Sequence, residues 1–195
     1  MDTVFDILTG LGLATAAGIR PFLPGLAAGA LAAANFTIDF DGTDFSFLEG
    51  PGWLLAIVIA LILVTLAERT GDGEEDRGAL SVAILVASLA IGAGLFAGTL
   101  ADHSDTWWPG IPAGILVAGF AWYATRGLFA RVRGRLDSEA RSALALYVDG
   151  SALLVAVLSI LAPPLALVAL GFLVWLLLGS RKKEGQKYAG LRILR

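Results

Sequence analysis

The sequence predicts an all-α fold, a polytopic helical membrane protein of about six transmembrane helices with a proline-broken first helix. Three observations predict it. The composition is 57% hydrophobic and only 16% charged over 195 residues, with a mean hydropathy of +0.78. Apolar segments recur at roughly 4–34, 52–68, 79–101, 110–126, 143–162 and 164–179. Of the 14 lysines and arginines, all but Arg20 fall on one side of the fold those segments define. A soluble domain of this length needs a larger charged surface.

A helix needs about 20 residues to cross a hydrocarbon core about 30 Å thick, with a lower limit near 17. The third and fifth segments meet that length. The second, fourth and sixth are short and call for snorkelling side chains or a locally thinned bilayer. The first is too long for one straight crossing and contains Pro21 and Pro24. No segment alternates as barrel strands do, and lipid leaves backbone groups no partner but each other, so helices are the expected element.

Orientation follows from the basic residues. The stretch 126–142 carries Arg126, Arg131, Arg133, Arg135 and Arg141, and Arg69 and Arg77 flank the turn between the second and third segments. The tail carries Arg181, Lys182, Lys183, Lys187, Arg192 and Arg195. Residues 35–52 hold Asp39, Asp41, Asp44 and Glu49 without a basic residue, and 102–110 hold Asp102 and Asp105 likewise. The positive-inside rule makes the basic regions cytoplasmic and the acidic loops external. The expectation is a multi-pass protein of a prokaryotic inner (cytoplasmic) membrane with both termini cytoplasmic. Residues 1–180 form one helical domain and 181–195 a basic tail suited to anionic headgroups rather than nucleic acid. The start, Met1 to Asp6, lacks the basic region of a secretory signal.

Trp53, Trp107 and Trp108 fall at the external ends of segments, where amphipathic rings anchor to headgroups. Pro163-Pro164 reads as a tight external turn, with a re-entrant hairpin as the alternative. The acidic turn Gly71–Asp76 lacks the spacing of a calcium loop. Glycine is abundant, with 24 residues. Ala90, Gly94 and Gly98 recur every four residues with Gly92 and Ala93 beside them, and Gly10, Gly12 and Gly18 cluster in the first segment. Small residues let helix backbones approach closely, which suggests tight packing and a homo-oligomer joined through glycine faces.

The stretch Gly10-Leu11-Gly12-Leu13-Ala14-Thr15-Ala16-Ala17-Gly18-Ile19-Arg20-Pro21-Phe22-Leu23-Pro24 resembles the signature of a family of bacterial integral-membrane proteins known only as a domain of unknown function. The tail Lys187-Tyr188-Ala189-Gly190-Leu191-Arg192-Ile193-Leu194-Arg195 is similar to that family's as well. Family members carry an Asp- and Pro-containing segment after the second span, where this chain has the Gly/Glu-rich turn. The resemblance implies a polytopic membrane protein and brings no substrate with it.

The candidate site residues are Arg20, Pro21, Pro24, Gly18 and Asp149. Proline removes an amide donor and clashes with the carbonyl four residues back, so Pro21 and Pro24 should interrupt the helix. Arg20, the residue before a proline, is pushed out of helical geometry, and Gly18 eases that departure. A charge at membrane depth costs a few kcal/mol and faces a cavity or a partner, and broken helices bearing charge build transporter sites. Counting from Phe5 at the cytoplasmic edge places Arg20 about 22 Å into the first span, and Asp149 lies about 10 Å inside the fifth. The difference of about 12 Å makes a direct pair too long unless the first span bends, so water joins them or Asp149 meets Arg126 or Arg141. Glu68 reads as interfacial.

Catalytic residues, metal ligands and cofactors are not expected. There is no cysteine and one histidine, His103, in an external loop, which leaves little for a metal site or a histidine base. Asp149 is the one clear aspartate within a span, where an intramembrane aspartyl protease needs two, and nucleotide-binding glycine motifs are absent. The leading function is passage of an ion or small solute along a path that includes Arg20 and Asp149, with a weak tilt toward an anion or a proton-coupled substrate. The alternative is a non-catalytic scaffold or accessory subunit in which Arg20 fixes packing.

Overall fold

A computed structural model describes residues 3–70, 74–102, 106–133 and 138–187. These form seven helices and no strand: α1 (Thr3–Ile19), α2 (Phe22–Ala33), α3 (Pro51–Thr70), α4 (Glu74–Ala101), α5 (Gly110–Arg133), α6 (Ser138–Leu161) and α7 (Leu165–Lys187), with a 3₁₀ turn at Ser46–Leu48. Over Pro51–Glu68 of α3 and Gly78–Ala101 of α4 the helices are long and apolar enough to cross a membrane. The expected segments all become helix, and α4, α5 and α6 run past the apolar windows into the charged flanks. A 24-residue helix such as α5 or α6 is about 36 Å long, its apolar part being extended by charged flanks.

The first apolar segment departs from expectation in the way that matters most. It is two helices, and the chain reverses between them. Phe5, Asp6 and Thr9 of α1 lie with Thr37–Phe40, with Thr99 and Asp102 at the end of α4, and with Ile160–Pro163 at the end of α6. The start of α1 therefore sits at the end of the bundle that carries the acidic loops. From there α1 runs antiparallel to α4, with Gly10 against Thr99 and Ala14 against Gly92. It reaches Arg20 beside Asp149 of α6. Helix α2 then returns along α3, with Gly25 against Ile57 and Gly29 against Leu54. The arms of this elbow, 17 and 12 residues, are about 25 and 18 Å long.

Helix α7 starts beside Gly12 of α1, at Ala166, and runs toward the basic end. The start of α1 and the end of α7 are thus at opposite ends of the bundle, which corrects the expectation of two termini on one face. That expectation counted the first segment as a single crossing.

Helix α1 is the axis of the molecule. Leu13, Ala14, Thr15, Ala16 and Ala17 are fully buried, enclosed by α4, α5, α6 and α7. The glycines make this possible. A Cβ on Gly114 of α5 would stand 2.5 Å from the Gly92 carbonyl oxygen, and one on Gly12 would collide with Ser159 and Ala166. Gly10, Gly12, Gly18, Gly92 and Gly114 are taken up by packing within the chain, while Gly78, Gly150, Gly171 and Gly179 meet nothing within 4 Å. Along α4, Gly92 and Ala93 make the close approach to Gly114, Gly98 takes the Phe40 ring, and Gly94 has only Leu48 near it.

The outer surface is apolar. On α3 only Ile57 is buried between Pro51 and Glu68, while Leu55, Ile59, Ile62, Leu63 and Leu66 stand exposed, as do Val168, Phe172 and Trp175 of α7. An apolar exterior this extensive suits lipid, not water. At the acidic end, Phe40 is fully buried against Gly98, and Trp107 packs edge-on against Phe45 with ring centroids 5.2 Å apart. Trp53 meets Phe47 in the same way at 5.5 Å. These two tryptophans close the end of the bundle, and Trp108 is the exposed one. Pro163-Pro164 forms the expected tight turn, with Leu165 N–H donating to the Ala162 carbonyl at 2.9 Å and α7 following at once.

Candidate functional site

Why the helix breaks where it does is a matter of donors. Arg20 N–H still donates to the Ala16 carbonyl at 3.0 Å, completing the ladder of α1. Pro21 has no N–H to continue it, and the helix restarts at Phe22, with Gly25 N–H on the Pro21 carbonyl at 3.1 Å. Pro24 lies in the first turn of α2, where a missing donor costs nothing, so it starts the second helix rather than breaking it. Both prolines are fully buried. Gly18 remains helical. A Cβ there would meet the Ala118 carbonyl and stand 2.6 Å from Ala121 Cβ, so its role is the close approach of α1 to α5 and not the break itself.

The reversal carries Arg20 to where three helices converge. Its Nη1 donates to Glu68 Oε1 at 2.8 Å and its Nη2 to Glu68 Oε2 at 3.1 Å, a two-pronged pair to the end of α3. Its Nε lies 2.9 Å from Asp149 Oδ1 on α6. The arginine side chain is 13% exposed and the two carboxylates 26% and 27%. Such pairs fall between the roughly 1 kcal/mol of exposed ion pairs and the roughly 3–5 kcal/mol lost when a buried pair is broken.

The sequence singled out Arg20 and Asp149, and the structure brings them together directly. The expected separation of about 12 Å came from starting α1 at the basic end. With α1 entering from the acidic end, Arg20 and Asp149 reach nearly the same level. Arg126, the other partner considered for Asp149, instead lies over the Trp122 ring at 4.6 Å. Glu68 was missed as a site residue. Its place at the last turn of an otherwise apolar helix was the only signal, and one sequence does not say which face meets Arg20. Arg141 and the side chains of the tail Arg181–Lys187 lie outside the described side chains. Gly71–Gly73, His103, Gly134–Asp137 and Tyr188–Arg195 lie outside the described residues.

The other end of α1 opens on a cavity of about 170 Å³, whose wall includes Asp6, Thr9, Asp39, Thr99 and Asp102. Between cavity and triad, α1 carries the buried Thr15, which donates back to the Leu11 carbonyl at 2.7 Å, and faces Ser159, which donates to Val155 at 2.7 Å. In the acidic loop, Asp39, Asp41 and Glu49 bring one carboxylate oxygen each within 4.8 Å of one another. The Glu49 carboxyl is pushed above the usual carboxylate range, first by burial and then by its hydrogen bond with Asp41. Among the described residues this is the one group of three acidic side chains close enough to share a cation.

No curated protein and no solved structure matches the chain. A family model does, over residues 7–183, a span that runs from α1 into α7 and holds Arg20, Glu68 and Asp149. An uncharacterised family is what the N-terminal motif pointed to, and the chain belongs to the family described as "Domain of unknown function (DUF4126)".

Proposed function

We propose that this is a multi-pass protein of a prokaryotic inner membrane that passes an ion or small solute along α1, between the acidic cavity and the Arg20–Glu68–Asp149 triad. Helices α3 to α7 cross the bilayer, and the α1–α2 elbow enters from the external, acidic face. The one observation that carries the reading is the triad: three charged side chains from three apolar elements meet at a helix break, where charge is costly and rarely kept for packing alone. Broken helices near the middle of a bundle are how many transporters expose backbone and charge to a substrate. The interior around Thr15 and Ser159 is closely packed, so passage needs movement of the elbow against α4 and α6. The triad holds two carboxylates to one guanidinium, and this moves the expected substrate away from anions.

The test is ion and proton flux in proteoliposomes, comparing the wild type with Arg20→Gln at matched, verified folding. Flux that vanishes in the variant supports the path. Absence of flux in both proteins, across common anions, cations and protons, removes it.

A second reading has its own observation. Arg20 ties the elbow to both α3 and α6, as a structural lock would, in a scaffold or accessory subunit. On that reading Arg20→Gln loses assembly or folding and not flux. A homo-oligomer belongs to either reading, joined through the exposed faces of α3 or α7.

A further inference from the structure

We propose that the ion is a proton, and that Asp149 is the carboxylate that binds and releases it. This deepens the transport reading by naming its substrate and its carrier.

The charge count comes first. A guanidinium is a fixed positive charge in a protein. Against that one positive charge stand Glu68 and Asp149, so the described triad holds one negative charge too many for a partly buried site among apolar helices. A bound cation restores neutrality.

The two carboxylates are held unequally. Glu68 takes two guanidinium nitrogens in a fork, the stronger and more geometrically fixed arrangement. Asp149 has a single ion-pair contact at Nε. Glu68 also ends the apolar run of α3, whereas Asp149 lies three residues inside that of α6, which begins at Leu146. The carboxylate with fewer bonds and deeper placement is the one that exchanges.

A proton fits this site and a metal ion does not. Calcium takes six to eight oxygen ligands and magnesium about six, and a guanidinium 2.9 Å from the carboxylate repels any metal brought to it. Among the described side chains, the charged groups facing Asp149 are two. Arg20 comes from the elbow and Glu68 from α3. Helix α2 and the described side chains of α7 contribute no titratable group, and Tyr147 on α6 itself is exposed.

The step balances simply. A proton adds to the Asp149 carboxylate to give the neutral acid, Arg20 remains a cation paired with Glu68, and the triad becomes neutral. The contact with Nε then weakens from an ion pair to a hydrogen bond with a neutral acid, which loosens the tie between α6 and the elbow at that level while α3 stays attached. Loss of the proton restores the pair.

Dicyclohexylcarbodiimide tests this without needing flux. The protonated carboxyl adds across a C=N bond of the reagent, so a reacted residue gains one whole reagent mass, and the ionised form does not react. In reconstituted wild-type protein, peptide mass spectrometry should find the adduct on Asp149 in preference to Glu68, its yield falling as pH rises. Asp149→Asn should lose that adduct, and Glu68→Gln, which leaves Arg20 and Asp149 a neutral pair, should weaken it at a given pH. Adduct mainly on Glu68, or on neither residue, overturns the proposal, and wild-type mapping decides this even if a variant fails to fold. An Asp149 adduct in a protein without proton flux keeps the proton site and removes the transport reading. Proton flux without the adduct does the reverse.

Discussion

Arg20 offers two carboxylates three of its nitrogens, and no other side chain can do this. Lysine carries a point charge on a flexible stem, so Arg20→Lys should keep one partner and loosen the other. The expected outcome is a stability loss of about 1–3 kcal/mol, smaller than for Arg20→Gln, read as a drop in the thermal midpoint in detergent. Equal losses in the two variants would mean that the fork geometry contributes nothing. At the other end of the molecule, Glu49 gives a pH dependence. Its carboxyl is raised by burial and by Asp41, so the folded state holds a proton there more tightly than the unfolded chain. That contribution to stability is full below the ordinary carboxylate range and is lost as pH rises through the raised value. Wild type should therefore gain stability on mild acidification relative to Glu49→Gln. A difference between the two that stays flat with pH would contradict this origin.

At the scale of elements, the elbow is built by one missing donor and a row of missing Cβ atoms. Pro21 ends the ladder of α1 after Arg20, and glycines let α1 sink among α4, α5 and α6. Substitutions should divide accordingly. Gly114→Ala places a methyl 2.5 Å from a backbone oxygen that cannot swing away, and should cost about 1–3 kcal/mol. Gly150→Ala meets nothing within 4 Å and should be neutral or up to about 1 kcal/mol more stable, since alanine is the better helix former. Thermal unfolding of both variants checks this, and similar behaviour would mean that α4 and α5 are not packed as described. The same elements show what one sequence can reveal. Helix positions were legible, because apolar runs and charged flanks record them directly. The break was legible in Arg20-Pro21. Its direction was not, because proline says that a helix stops and is silent on where the chain goes next. Glu68 was lost for a related reason: Arg20 and Glu68 are 48 residues apart, and their meeting depends on α2 returning along α3.

At the scale of the whole molecule, everything said of the site depends on the elbow. If residues 4–34 crossed once from the basic face, Arg20 would lie about 12 Å from the level of Asp149 and the triad would not form. Because the first segment turns back, the start of α1 shares a face with the acidic loops, and Arg20 arrives level with Glu68 and Asp149. The chain contains no cysteine, so single cysteines can be introduced with no background. The measurement to make is labelling in sealed, oriented vesicles by a membrane-impermeant maleimide, applied to Thr3→Cys, Asp44→Cys and Gly127→Cys. Asp44 is exposed in the acidic loop, and Gly127 lies near the basic end of α5 with open space around it. Labelling of positions 3 and 44 from one face and 127 from the other is the predicted result. Labelling of position 3 together with 127 would contradict the elbow, and with it the triad and the proton path.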